Sequence, residues 1–539
     1  MRSTFSGLNI ARSGFFAAQR ALDITGHNIA NVNTRGYTRQ RLEQTASNPL
    51  RIPGGEGMLG TGVTTTAIHQ LRNDFLDYKY REESSTFGFW DAKADGLSFI
   101  ESIINEPSET GIISVIDELF ASFEELSKNA NNLTIRALVR QRAVTFTNSI
   151  NHIYSQLEKI ATDLNFDVSS AVKQINTLGE GIAKLNDQIM RSEIDGSNAN
   201  DLRDQRNVLI DDLSRIIDIE VMEIRNPDNP KDAKMVIKIA GKSLVYHSDF
   251  TGLEVEPEQK KFAGMEDKLI DFYEVKWADG TDFDATNIGG ELAGLLSLRD
   301  GEGPDADMED ENNGGKPEGF PYDQKGIPYY IRQLNHFAYV FANEINKIHL
   351  EGYGLHDRSP DEEPRRAFFT ANGVATPEGV TIKYDDGEIK INGSAGDGDA
   401  LKNINASNIR IAAEIEDLNN IAASKEKDLL PKDGSIMLDI IALRHKVSMF
   451  SEGKPEDFLK SLIGTLGVDA EEANRNTLNQ GILLQDIENR RQSVSGVFQD
   501  EELANMVRFQ HAYNASARMI TTMDEMLDVL INRVGIVGR

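Results

Sequence analysis

A few stretches carry residue types that could do chemistry. Gly55-Glu56-Gly57-Met58-Leu59-Gly60 spells GxGxxG, whose backbone amides can cradle a pyrophosphate where a strand feeds into a helix. No apolar strand precedes it and no helical pattern opens within it, so dinucleotide binding is not expected. Gly241-Lys242-Ser243 resembles the end of a phosphate loop, yet Val236 occupies the position where that motif requires Gly; a β-turn is the better reading. Residues 300–318 hold eight acids and one Lys among Gly, Asn and Pro. They do not follow calcium-loop spacing, because Asp310 sits where the turn Gly belongs. His336 and His349 lie thirteen apart on one helical pattern, too far to share a metal. HExxH and GxSxG are absent, and with no Cys in the chain thiolate sites and disulfides are excluded. Paired carboxylates carry no weight in so acidic a chain. No catalytic residue, cofactor or metal is expected, and the informative patterns are those of association.

The clearest of these is at the C-terminal end. From Asp500 to Val534 there is no Gly or Pro, and Met506, Phe509, Tyr513, Ser516, Ile520, Met523, Leu527, Leu530, Val534 and Val537 recur at alternating steps of three and four. That is a heptad seam, and so narrow a stripe is hidden only by another helix laid along it. Leu8, Ala11, Phe15, Ala18, Leu22, Thr25 and Ile29 keep the same rhythm, which predicts a partner helix over residues 4–30. Gly7, Gly14 and Gly26 interrupt it, each costing about 1 kcal/mol relative to Ala, so alone it frays. Residues 1–41 carry six Arg and one Asp, and residues 499–539 four Arg and six acids. The pairing is weakly complementary in charge. Ordinary core helices are the competing reading, but termini usually fray, and here the extremes are the most regular stretches.

The body between them is long enough for several domains. The chain has 539 residues, 39% of them hydrophobic, and a net charge of −29. Such acidity excludes a nucleic-acid surface, since phosphates demand basic residues. No apolar run approaches the roughly 20 residues of a membrane span, and the start lacks the continuous apolar stretch of a cleaved secretory signal. Helical patterning runs from about Asp74 to Ile217 with a break at Asn105-Glu106-Pro107. It includes one helix from near Leu133 to Arg191, about 90 Å long at 1.5 Å per residue. Another begins at Asn200, with Leu202, Leu209, Leu213 and Ile216 facing inward. Glu220–Ile224 and Met235–Tyr246 read as strands. Helix returns over Ile327–Leu350, a hairpin turns at Asp385-Asp386-Gly387, and helical pattern continues from Ile436 to Val494.

A resemblance enters with Ala30, Asn31, Thr34, Gly36 and Tyr37, which together resemble the signature of bacterial flagellar rod, hook and hook-associated proteins. Gly60-Thr61-Gly62-Val63, Asp74-Phe75-Leu76, the Asp201–Arg206 stretch and Gly289–Leu295 are similar to the same group, with Arg203 where an apolar residue is commoner. Arg491–Val497, Asp500–Met506 and Gln510–Arg518 most resemble the FlgK-type flagellar hook-associated family. Phe498-Gln499 departs from an Asn-Leu pair common there.

The expected fold is mainly α with β-rich insertions: an elongated multi-domain protein with its terminal helices paired as a coiled coil, a long helical-bundle rod and a β-rich outer head. The expected domains are residues 1–41 with 499–539 for assembly, and 42–217 with 431–498 as the rod, to which 327–350 returns. Residues 218–326 and 351–430 make the β-rich part. The resemblance implies a structural subunit at the hook–filament junction, exported without a cleaved signal through the type III apparatus and cytoplasmic before export. It then resides in the flagellum, outside the cell or in the periplasm if the flagellum is periplasmic. Implied partners are further copies in a ring, the hook protein, a second junction protein, and an export chaperone on the C-terminal region. The N-terminal interface would use Leu8, Ala11, Phe15, Ala18, Leu22 and Ile29. Met506, Phe509, Tyr513, Ile520, Met523, Leu527, Leu530 and Val534 would serve assembly and the chaperone. Another axial protein, such as a hook or distal rod subunit, and an enzyme displayed in the β-rich region are the alternatives.

Overall fold

The computed structural model describes residues 6–51, 57–104, 111–194, 196–226, 229–261, 269–304, 319–357, 365–377, 381–385, 388–392 and 399–533. Val534, Val537, the Asn105-Glu106-Pro107 break, Asp386-Gly387, Gly55-Glu56 and most of the acid-rich stretch lie outside them. Helix α1 (Ser6–Ala30) is followed by strands β1 (Gln40–Ala46), β2 (Leu50–Arg51), β3 (Met58–Leu59) and β4 (Val63–Gln70). Four helices come next: α2 (Asp74–Ile104), α3 (Ile112–Lys128), α4 (Leu133–Glu193) and α5 (Asn200–Ile216). Strands β5 (Glu220–Asn226), β6 (Asn229–Ile239), β7 (Lys242–Tyr246) and β8 (Asp249–Phe250) form one antiparallel sheet in sequence order, and β9 (Leu253–Lys261) pairs with β10 (Leu269–Trp277). After α6 (Gly290–Asp300) and α7 (Ile327–His349) come β11 (Phe369–Ala371), the hairpin β12 (Thr381–Asp385) and β13 (Glu388–Asn392), α8 (Asp399–Lys402) and β14 (Ile409–Ile411), which pairs with β11. Helices α9 (Ser435–Ala442), α10 (Pro455–Ser495) and α11 (Gln499–Asp528) complete the chain.

The 61-residue α4 is the spine. Asn132 caps its start by accepting a hydrogen bond from the Thr134 amide at 2.9 Å, and its apolar steps of three and four bury one face along the whole length. Strands β6–β10 and β14 lie against this spine, and the core of α4 extends into them. Asn side chains spaced along α4 hold them there. Asn151 donates to the Ala406 carbonyl at 2.7 Å, and Asn165 bridges the Asp271 carbonyl (2.9 Å) and the Tyr273 amide (2.8 Å). Asn176 brackets both backbone groups of Leu253 at 2.6 and 2.8 Å, and Asn186 donates to His247 O at 2.8 Å. Asn165 and Asn176 thereby satisfy backbone of β10 and β9, and Asn151 and Asn186 satisfy turn carbonyls, that packing against a helix would otherwise leave unpaired.

The core is richest in rings where α3, α4 and α7 meet. Phe123, Phe146, Phe337, Phe341, Phe368 and Phe369 are fully buried, each contributing about 1.5–3 kcal/mol by leaving water. Buried Arg136 gives its guanidinium to the carbonyls of Ala130, Leu418 and Ile421 at 2.7–3.0 Å. That ties the loop around residue 420 to the start of α4.

Some sequence expectations are corrected. Met235–Tyr246 is not one strand but the hairpin of β6 and β7, turned by Ala240 and Gly241 with φ of 46° and 81°. Helical pattern from Ile436 is interrupted before Pro455, which opens α10 at a position where its missing amide costs nothing. Residues 40–70 hold the antiparallel pair β1–β4. On α5, Leu202 and Leu209 are only half-buried, while Asp204 and Arg206 are buried.

Candidate functional site

α1 and α11 pack antiparallel. A Cβ built on Gly7 would lie 2.7 Å from Met523 Cε, and one on Gly14 would lie 3.2 Å from Ser516 Oγ. The Phe15 and Tyr513 ring centroids are 4.4 Å apart. The glycines are therefore not mere interruptions: with no side chain they let the helices approach closely. Ala11 and Ala18 are buried, and Leu8, Phe15, Leu22 and Ile29 are half-buried. Opposite them, Met506, Phe509, Tyr513, Ile520, Met523 and Leu527 are half-buried. Leu530 is 52% exposed, because the register that sets Met523 against Gly7 leaves no described part of α1 opposite it. Helix α1 also has a second buried face, formed by Ala17, Ala21, Ile24 and Asn28. On that side Ser13 Oγ accepts the Val63 amide at 3.2 Å, and Arg20 donates to Thr65 Oγ1.

The Ala30–Tyr37 string closes α1 and hands the chain to the body. Ala30 is exposed. The Asn31 side chain donates back to His27 O at 3.0 Å, and Thr34 Oγ1 donates to Asn31 Oδ1 at 3.1 Å. Gly36, at φ +77°, lies where any Cβ would fall 2.1 Å from Val208 Cγ2 of α5, so only Gly fits. Tyr37 Oη donates to Asn28 Oδ1 at 2.8 Å; burial and then the carboxylates of Asp201, Asp204 and Glu502 push its ionisation upward.

Around this turn lies a buried polar joint that apolar periodicity does not register. Asn28 pairs with both backbone groups of Gln40, at 2.9 and 3.0 Å, and donates to Glu502 at 3.1 Å. Arg39 grips Glu502 and Glu501 at 2.6–2.8 Å, and its amide donates to Ser495 O at 2.8 Å. Asp204 accepts the Thr38 amide (2.9 Å), the Thr38 hydroxyl (2.7 Å) and Gln70 Nε2 (2.8 Å). Burial lifts Asp204 to about 6, against the pull of Thr38 and Arg72. Arg491 binds Asp211 at 2.5 Å and stacks 4.0 Å over Tyr80. The one available signal was the presence of Asn28 and Glu502, polar residues facing inward between apolar ones. Chemically the joint holds the first and last helices to the body and orients them. Among the described residues no group of three or more His, Asp or Glu could hold a metal, and no helix is long and apolar enough to cross a membrane.

Comparison with known proteins matches this arrangement at both ends and in the middle. The family model for the flagellar hook-associated protein FlgK helical domain covers residues 97–369. Models for the flagella basal body rod protein and the flagellar basal body rod FlgEFG protein C-terminal cover residues 8–38 and 490–533. Flagellar hook-associated protein 1 of Bacillus subtilis (strain 168) is 32% identical over 558 residues, spanning 100% of both chains. The chain belongs to the flagellar hook-associated protein 1 family. The Escherichia coli (strain K12) member is 24% identical, covering 97% of this chain and 99% of its own. The flagellar hook junction protein FlgK of Burkholderia pseudomallei shares the fold, with a TM-score of 0.54 at 13% identity over 78% of this chain and 100% of that one. Members of the hook-associated protein 1 family are structural flagellar components, so this chain is structural and not an enzyme.

Proposed function

We propose that this chain forms the junction between hook and filament, with residues 1–41 and 499–539 as its assembly module, the remaining helices as its rod and the β-rich parts turned outward. The observation that carries this is a second stripe on α11. Ala512, Ala515, Met519, Thr522, Met526 and Val529 step by three and four beside the α1-facing seam, and all are exposed. Met526 is 59% exposed and Phe16 of α1 is 52% exposed. A helix with apolar stripes on two faces, only one of them covered, suits a tube wall in which each pair packs on the next. Further copies cover the second stripe in a ring, the hook protein lies below and a second junction protein above. Before assembly the chain passes unfolded through the type III apparatus, with a chaperone shielding the C-terminal seam. Burial of the seams then offsets the chain entropy lost on ordering.

Hydrogen exchange tests this on the purified monomer and on the chain assembled onto isolated hooks. Fast exchange over residues 6–30 and 499–528 in the monomer, slowed at least tenfold in the assembly, is the expected result. Full protection of both segments in a dilute monomer overturns the coupling of folding to assembly.

A further inference from the structure

A cleft of about 920 Å³ opens between the start of α2, the start of α5 and β5, next to the polar joint, whose Asp204 bonds to the lining residues Gln70 and Arg72. Its floor is arginine. Arg72 is bound to Asp77 at 2.5 Å and lies 3.7 Å from Asp204; Arg81 is bound to Asp211 at 2.8 Å, and Arg203 to Glu193 at 2.7 Å. Three cations are thereby neutralised from within the protein. Arg206 is the exception. Only 6% exposed, it donates through Nη1 to the neutral Asn186 amide at 2.9 Å, and its buried Nε–H has no partner among the described residues. Burial, reinforced by the neighbouring Arg203 and Arg81 cations, lowers its affinity for a proton to about 10. A buried guanidinium with an idle donor is costly, and an oxyanion would relieve both the charge and the missing bond.

The geometry points to this cleft as a binding site for a single carboxylate, received by Arg206. Arg206 has no ion pair among the described residues, although the carboxylates of Glu223 and Glu193 pull its ionisation part of the way back up; its one idle N–H calls for one acceptor oxygen. The exposed acids Asp74, Glu82, Asp218, Glu220 and Glu223 also line the cleft and repel a ligand in proportion to its charge, so they disfavour dianionic phosphate more than a carboxylate. The carboxylate can come from a small free acid or from an acidic side chain of a second copy. The site itself does not depend on the junction reading; only the second source does.

The test uses the full chain. Its melting temperature and its hydrogen exchange over residues 200–224 are measured in about 100 mM sodium acetate, in sodium chloride of equal ionic strength and in sodium phosphate of equal ionic strength. A rise of about 2 °C specific to acetate, with slower exchange at 200–224, supports the site and shows that a free acid suffices. Arg206→Met should abolish that response; removing an uncompensated charge and orphaning the Asn186 carboxamide oxygen act in opposite directions on the melting temperature in chloride, so the acetate-specific difference is the deciding readout. If acetate is inert but residues 200–224 become protected on assembly, and Arg206→Met assemblies lack that protection, the neighbouring copy is the source. The proposal is overturned if phosphate outperforms acetate, if Arg206→Met responds as the unsubstituted chain does, or if neither arm shows protection.

Discussion

The Glu502 carboxylate accepts a hydrogen bond from Asn28 Nδ2 at 3.1 Å, joining the first helix to the last across 474 residues of sequence. Arg39 holds the same carboxylate at 2.6 Å, with Glu502 buried. Removing one partner of such a set leaves the other charge stranded, at a cost of about 3 kcal/mol. Glu502→Ala should therefore release the terminal helices while sparing the α4 core. Limited proteolysis would show early cuts within residues 6–40 and 497–528 with an unchanged body fragment; cuts distributed evenly over the chain would refute this.

At Gly14 two effects compete. Ala gains about 1 kcal/mol of helix propensity over Gly, and the Ser516 hydroxyl that a Cβ would meet at 3.2 Å is a movable group. Gly14→Ala should thus be close to neutral. Gly14→Leu should cost about 1–3 kcal/mol by overpacking, and Ser516→Gly should recover part of it. Double-mutant analysis of the helix-pair unfolding free energy checks the coupling, and strict additivity would rule out the contact.

Asn176 brackets Leu253 by donating to its carbonyl and accepting from its amide. Asn176→Asp keeps the acceptor but loses the donor and brings in a charge. A local loss of about 2 kcal/mol is expected, read as faster hydrogen exchange of the Leu253 amide with little change in α3 or α7.

His349 fixes the acid limit of the body. It is fully buried and neutral, with Nδ1 donating to Arg366 O at 2.6 Å and Nε2 accepting the Ala422 amide at 2.9 Å. Burial lowers it to about 4 from its ordinary 6.5. The unfolded chain protonates this ring below about pH 6.5 and the fold does not until about pH 4, so stability is full above 6.5 and falls between the two, by about 3 kcal/mol in all. Denaturant midpoints from pH 8 to pH 4 measure it. In His349→Gln that part of the slope should disappear.

Periodicity alone was enough to read α4 to within two residues of its end, the α7 helix and the β12–β13 hairpin, because each depends on local pattern. The heptad rhythm also contains Phe15 and Tyr513, whose rings meet between α1 and α11, and Ser516 and Met523, which face Gly14 and Gly7. It could not reveal the second buried face of α1, since Ala17, Ala21 and Asn28 face inward only because β1 and β4 fold back on them. Nor could it reveal the joint. Asp204, Glu502 and Asn28 are buried because their partners arrive from distant segments, and a lone polar letter in a helix does not announce its partner. The Asn residues of α4 were hidden likewise, reading as solvent positions until the strands lie beside them.

The antiparallel register of α1 and α11 makes the two ends of the polypeptide mutually dependent. A chain cut short anywhere before Glu502 exposes Asn28, leaves Arg39 without its acids and bares the glycine groove at Gly7 and Gly14. The joint thus acts as a completeness check: only a polypeptide present from its first helix to its last can close it, and a truncated one is left with its inward-facing polar groups open to water.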